Sequence, residues 1–263
     1  MIAIDEERCV RCGLCAADCV CHNITVLEEE VVVGDSCINC GHCIAVCPKH
    51  AVSSCEYDMA DCAEYRSELC DIPPEKLLAM MRYRRSVRCF TDEPVTSAEI
   101  AQLIEAGRHA PTGANKQDVR FVVVHDCLDD FKRIVWRGFE NVVGELKAKG
   151  SAKTAHYEQF IKNYAADSKD DRLFLGAGTV LVVAAEMTLD AGIAASYIEL
   201  MAHAMGLGAL FNHYALYSIA AMPQAGEWLG LGGKTPVACL LLGHHKLHYA
   251  RSAPRRQADV ILK

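Results

Sequence analysis

Residues 37–48 read CINCGHCIAVCP, which sets thiols at Cys37, Cys40, Cys43 and Cys47 with Pro48 directly after them. Cys9, Cys12, Cys15 and Cys19 stand 28 residues earlier, position for position, and His22 and His50 keep the same offset. A repeat at one fixed period predicts two copies of one small supersecondary unit. The spacing C-x2-C-x2-C-x3-C-P is that of an iron–sulfur run. Three cysteines at steps of three wrap a tight loop around one face of an Fe4S4 cube. The fourth, expected on the helix that follows, reaches away and ligates the other cluster of a pair. The crossed assignment is Cys9, Cys12, Cys15 and Cys47 on cluster I, and Cys37, Cys40, Cys43 and Cys19 on cluster II. Zinc also takes four such ligands, but usually as separated pairs, and disulfides need an oxidising compartment. Val20 stands where a proline would follow the fourth cysteine, which loosens that turn without removing a ligand.

The chain has 263 residues, 51% of them apolar, which suits one or two domains with a sizeable core. Its net charge of −7 is concentrated at the front, where residues 1–56 hold nine acidic and three basic side chains. That balance argues against nucleic acid as a partner and suits a basic electron-transfer partner. The start, MIAIDEERC, lacks the apolar core of a signal peptide. The longest apolar runs, TVLVVAAEM and VACLLLG, are strand-length and too short to span a membrane. Free thiols and oxygen-sensitive clusters point to a reducing cytoplasm. Cys55, Cys62, Cys70, Cys89, Cys127 and Cys239 fit no ligand spacing and are expected as small buried hydrophobes.

Pro73 and Pro74 mark a joint. The expected division is residues 1–56, a linker over 57–75, and a second domain over 76–263. Within the latter, TSAEIAQLIEAGRHA has helical periodicity and a capping residue at Thr96 or Ser97. RFVVVHD reads as a strand, LDDFKRIVWRGFENVVGELKAK as a long amphipathic helix, and TVLVVAAEM as a buried strand. DAGIAASYIELMAHAMG reads as a closely packed helix, GALF and PVACLLLG as strands, and 214–229 as a helix between them. The order suits an α+β or α/β chain around a few central strands.

GLGGKTP lacks the first glycine of a P-loop and has a proline where a helix should start; GAGTVL lacks the third glycine of a dinucleotide fingerprint. GHHKLH has no carboxylate or cysteine ligand near it in sequence, and if the strand continues His244 and His248 share a face. The informative basic run is YRRSVRCF, with Arg84, Arg85, Ser86 and Arg88 within five residues. Arginine forks and a hydroxyl are suited to phosphate oxygens. RHAPTGANKQDVRFVVV follows, then MAHAMGLGALF, then LLLGHHKLHYARSAPRR.

In that order, over about residues 76–263, these four stretches resemble the nitroreductase family of FMN enzymes. With the front segment, which resembles the 2[4Fe-4S] bacterial-type ferredoxins over about residues 1–56, the chain looks like a ferredoxin–nitroreductase fusion. The resemblance implies an FMN-binding α/β sandwich, α+β in class, carrying a small N-terminal 2[4Fe-4S] ferredoxin-like domain, and an intertwined homodimer. It implies that Arg84, Arg85 and Ser86 hold the FMN phosphate and ribityl chain, with Arg88 close by. Asn115 and Gln117 would face the flavin ring or its polar edge, and Arg255 or Arg256 would return to the phosphate. The strand after GLG would set Leu210, Phe211, Asn212, His213 and Tyr214 beside the ring. His213, standing where that strand is often acidic, is the candidate proton donor. Asp118 and Val119 replace a common Pro-Trp pair, which alters the pocket. The implied activity is reduction of an electron-poor small molecule, such as a nitroaromatic, quinone or activated alkene, with electrons entering through the clusters from a ferredoxin-type or other one-electron donor. Reductive dehalogenation, or an electron carrier or redox sensor without small-molecule turnover, are the rival readings.

Overall fold

The structure, a computed structural model, describes residues 2–263. The chain forms two compact units: residues up to Ile72 together with Thr112–Lys116, and Pro73–Pro111 together with Gln117–Lys263.

The first unit is built from the repeat. Strand β1 (Ile2–Ile4), helix α1 (Leu14–Ala17) and strand β2 (Ile24–Val26) are followed by β3 (Val31–Val33), α2 (His42–Ala45) and β4 (Val52–Ser54). β1 pairs antiparallel with β4 and β2 with β3, so the outer strands join one copy to the other. The 28-residue period persists in the backbone. Arg11 and Asn39 have φ of 52° and 54°, Gly13 and Gly41 of 80° and 73°, and His22 and His50 of 49° and 51°. These left-handed residues bend the chain sharply before each short helix and after each fourth thiol. Ile2, Ile24, Val31, Val52 and the Cys43 side chain form the small core. The helices are only four residues long, so they carry the third thiol of each run, Cys15 or Cys43. The fourth, expected on the helix, lies just past its end. Residues 57–72 hold one turn of 3-10 helix and the short helix α3 (Ser67–Cys70), and are almost wholly exposed.

The second unit opens with α4 (Pro74–Tyr83) and α5 (Ser97–Arg108). Pro74 suits the first turn, where its missing N–H is not needed. Thr96 caps α5 in a reciprocal box with Glu99. Strand β5 (Arg120–Val124) precedes α6 (Leu128–Ala148) and α7 (Thr154–Ala166); β6 (Thr179–Ala185) precedes α8 (Thr188–Ala204). β7 (Gly208–Phe211), α9 (His213–Ala220), α10 (Pro223–Trp228) and β8 (Thr235–Gly243) complete it. The helix expected over 214–229 is thus two, divided before Pro223, which starts the second.

The four strands form an antiparallel sheet in the order β5-β6-β8-β7. All seven residues of β6 are buried. Val180, Val182 and Ala184 face one apolar cluster with Phe131, Trp136 and Phe139 of α6, and Leu181, Val183 and Ala185 face another with Leu103 of α5 and Ile198 of α8. Burying each Val or Leu contributes about 1.5–3 kcal/mol, so β6 must be covered on both faces. Alanines at 191, 194, 195 and 202 let α8 lie close to the sheet. Pro236 sits where the β6–β8 register shifts, beside Ala184, a place where a strand tolerates a lost N–H. Of the six cysteines expected in cores, only Cys239 is buried; Cys55, Cys62, Cys70, Cys89 and Cys127 are exposed. They stand on loops and short surface elements rather than on a face turned to either apolar cluster.

Gly138 is where α6 meets α9: a Cβ there would stand 2.3 Å from the Ser218 carbonyl oxygen. Gly138→Ala should therefore force the two helices apart and destabilise this unit by about 2–3 kcal/mol. The measurement is the urea midpoint of its unfolding transition, which should fall with little change in slope.

Candidate functional site

The eight repeat thiols surround two cavities in the first unit. Cys9, Cys12, Cys15 and Cys47 line one, with Ile4, Leu14 and Val52 as apolar wall. Cys19, Cys37, Cys40 and Cys43 line the other, with Ile2, Ile24 and Ile38. Each cavity takes three thiols from one copy of the repeat and the fourth from the other. All eight are free of disulfides. Among the described residues no group of three or more His, Cys, Asp or Glu converges to hold a single metal ion; the thiols stand around spaces. Backbone N–H groups of Asn23 and Ala51, again 28 residues apart, donate to Cys19 Sγ and Cys47 Sγ, each at 3.3 Å. Burial pushes the Cys43 thiol up to about 11 and raises that of Cys15. Such thiols ionise readily only where a cation meets them.

The second unit carries a basic cavity of about 250 Å3 between the end of α4, the end of α8 and the segment after β8. Arg84 and Arg85 reach it from the turn after α4, Glu199 and His203 from α8, and His245 and His248 from beyond β8. The turn is pinned to the sheet edge. Ser86 forms a parallel bridge with Ala209, and the Val87 N–H donates to the Ala209 carbonyl at 3.1 Å. Gly208 permits that approach, since a Cβ there would lie 2.9 Å from Val87 Cβ and 3.0 Å from His245 Cδ2. Arg84 Nη1 donates to Glu199 Oε1 at 2.7 Å, with both side chains largely buried. Burial raises the Glu199 carboxyl against the lowering influence of Arg84. Burial, then Arg84 and His245, lowers the His203 imidazole. His245 Nδ1 is buried and has no hydrogen-bond partner among the described residues. A cavity with two guanidinium groups and an orphaned imidazole nitrogen has the donors an anion needs.

The other expected site residues are dispersed. Arg88 and Gln117 are exposed, the latter at a left-handed φ of 49°. Asn115 donates its amide to the Asn39 carbonyl at 2.6 Å and to the Tyr57 hydroxyl at 3.2 Å. Leu210 and Phe211 alternate on β7, one packed in each apolar cluster. The Asn212 side chain is committed internally: it donates to the Leu173 carbonyl at 2.7 Å and accepts from the Ala215 N–H at 3.1 Å, capping α9. Tyr214 packs among Phe139, Tyr157 and Phe160. His213, read as a strand residue, is the first residue of α9; it is exposed, 6.2 Å from the Tyr217 ring. The cap at Asn212 ends the strand one residue before it. Arg255 and Arg256 lie exposed in an irregular tail. His244 pairs with Glu99 at 3.4 Å, because the strand ends at Gly243. Sequence reading missed Glu199 and His203. Their i, i+4 spacing on a helix of small residues was the available signal.

A family model described as the nitroreductase family matches residues 46–244. The chain belongs to that family. A nitroreductase with bound FMN from Desulfitobacterium hafniense DCB-2 has a similar fold: TM-score 0.58 and 22% identity, over 73% of this chain and 100% of that one. Among curated relatives, the FMN reductase (NAD(P)H) of Bacillus subtilis strain 168 is 45% identical over 42 residues, 16% of this chain and 17% of that protein. A putative NADH dehydrogenase/NAD(P)H nitroreductase of Archaeoglobus fulgidus is 35% identical over 52 residues, 20% of this chain and 30% of that one. The chain thus spans less than a third of the length of the curated relatives it matches. No helix among the described residues is long and apolar enough to cross a membrane.

In this nitroreductase-family unit Glu199 competes with any anion for Arg84. Glu199→Gln should tighten sulfate binding about tenfold, the worth of one charge-assisted hydrogen bond. In the unsubstituted chain, affinity should rise as pH falls. Glu199 neutralises above the ordinary carboxylate range, releasing Arg84, and His203 gains its proton below the ordinary imidazole range. Both changes add positive charge, and calorimetric titration with sulfate from neutral to mildly acidic pH measures them.

Proposed function

We propose that this chain is an FMN-dependent oxidoreductase fed through two [4Fe-4S] clusters and reducing an electron-poor small molecule, such as a nitroaromatic, quinone or activated alkene. The observation that carries this reading is the division of the eight thiols into two crossed sets around two cavities, in a chain whose family match takes in Arg84, Arg85, Glu199 and His203 of the basic cavity. When bound, the clusters supply single electrons and the flavin converts them to two-electron reduction.

The chain's own residues bind and orient. Cys9, Cys12, Cys15 and Cys47 would hold one cluster, and Cys19, Cys37, Cys40 and Cys43 the other. The donor set fits: four thiols around each space, backbone N–H groups aimed at sulfur, and an apolar wall beside them. Arg84 and Arg85 would grip the FMN phosphate, with His245 Nδ1 as a further partner, and the phosphate would take Arg84 in competition with Glu199. Ser86 and Gly208 keep that turn against the sheet edge. Arg88, Gln117 and the tail arginines Arg255 and Arg256 are exposed and would face flavin or a second protomer of a homodimer. Leu210 and Phe211 stiffen the strand, and Asn212 and Tyr214 support it from within. Exposed His213 is the candidate proton donor to substrate. A reducing cytoplasm suits free thiols, and a ferredoxin-type protein suits the acidic first unit as electron donor.

Anaerobic purification with iron, sulfide and FMN counts tests the cofactors, and an acceptor screen with a reduced one-electron donor tests turnover. Rates no better than those of free FMN would leave an electron carrier. Cys47→Ser should remove the cluster of Cys9, Cys12 and Cys15 and spare the cluster of its own run, as read by electron paramagnetic resonance; loss of the other cluster alone would break the crossed assignment. Flavin bleaching by the one-electron donor should slow in that variant in stopped flow. Arg84→Ala should weaken FMN binding by about ten- to a hundredfold with both clusters retained, as read by fluorescence titration.

A further inference from the structure

The amide motif that resemblance sets beside the flavin is turned, at Asn115, toward the thiols. Asn115 Nδ2 donates to the Asn39 carbonyl at 2.6 Å and to the Tyr57 hydroxyl at 3.2 Å, and that hydroxyl donates to the same carbonyl at 2.7 Å. Asn39 lies between Cys37 and Cys40, and its own N–H donates to Cys37 Sγ at 3.3 Å. Thr112–Lys116 accordingly clusters with the thiol unit, although the chain on both sides of it belongs to the other.

Two features separate this contact from an ordinary loop bond. The first is the conformation that supports it. Ala114, Asn115 and Gln117 all have positive φ, at 50°, 53° and 49°. Non-glycine residues in that region are strained and persist only where surrounding contacts over-determine them. The second is an asymmetry in the repeat. Arg11, the counterpart of Asn39, has the same left-handed backbone, yet no side-chain donor among the described residues meets its carbonyl. The first loop is tied outward through the Arg11 side chain, which donates to the Glu29 carbonyl; among the described residues only the second has side-chain donors from outside its run on the carbonyl of this left-handed residue.

We infer that Asn115 and Tyr57 are positioning residues for the iron–sulfur cluster held by Cys19, Cys37, Cys40 and Cys43, which rests on the cluster reading above. The carbonyl they grip belongs to the peptide whose N–H is that of Cys40. Two donors on one carbonyl fix the plane of that peptide and polarise its N–H. The orientation of N–H groups around cluster sulfurs sets potential and ligand retention. The first cluster lacks this device, so the two copies of one sequence unit are tuned apart by residues 57 and 115.

The test uses the full chain, purified without oxygen, with the second cluster's signal identified by its loss in Cys40→Ser. Asn115→Asp keeps the size and the left-handed tolerance but sets an acceptor against the Asn39 carbonyl. Tyr57→Phe removes the hydroxyl alone. Asn115→Asp should speed chelator extraction of iron from the second cluster about tenfold, the usual scale for an outer-shell ligand partner, and shift its midpoint potential in a redox titration. Tyr57→Phe should do the same to a smaller degree. The first cluster's extraction rate and potential, and FMN affinity, should stay as they are. Equal effects on both clusters would reduce the contact to a fold staple and overturn the inference, as would no effect on either. So would a fall in FMN affinity with both clusters unchanged, which would return Asn115 to the flavin. Absence of iron and sulfide from the unsubstituted protein would instead defeat the cluster reading itself, and the inference with it.

Discussion

Strand β6 is buried along its whole length on both faces, and the second unit is arranged around that demand. A strand with no wet face needs a layer of helices on each side. One side is met by the aromatic face of α6, the other by the small residues of α8. The alanines that let α8 approach the sheet also fix where its last turn ends. That end delivers Glu199 and His203 to the basic cavity, so the chemistry there follows from a packing choice. The cavity's other wall, Arg84 and Arg85, is placed by a backbone contact to β7 that only glycine at 208 allows. Neither arginine depends on a long loop for its position.

The thiol unit obeys a different constraint. Its apolar core is five side chains, one of them a cysteine, which is little for about seventy residues. Metal–sulfur bonds can supply what such a core lacks. Because each cavity takes its fourth thiol from the opposite copy, binding at either one ties the two copies together. The strand pairings β1–β4 and β2–β3 make the same crossing, so the backbone pairing and the placement of the thiols agree on one arrangement.

Much of this was legible because it is periodic or local. The 28-residue offset exposed the thiol sets; the Thr96–Glu99 spacing exposed a capped helix; continuous apolar runs exposed β6 and β8. What sequence hid was non-local. The partner of Asn115 lies 76 residues away, and no spacing rule links them. The resemblance set Asn212 and Tyr214 beside a ring, but their side chains are taken up by Leu173, Ala215 and an aromatic cluster. The exposed cysteines were misread because burial depends on which neighbour arrives. Helix α7 went unread because its apolar face is supplied by aromatic residues that meet α6 and α9 only in the fold, as Tyr157 and Phe160 meet Phe139 and Tyr214.

The segment Thr112–Lys116 has a consequence for how such a chain can be inherited. A module that occupies one uninterrupted stretch can be cut out and moved between proteins whole. Here five residues that pack with the front module are written into the middle of the other, flanked on both sides by its helices and strands. A front piece moved without these five residues would lack part of its own unit, and the left-handed residues left behind would no longer be held. The two modules are therefore expected to change together over time, and a mismatched pairing should betray itself first at this loop.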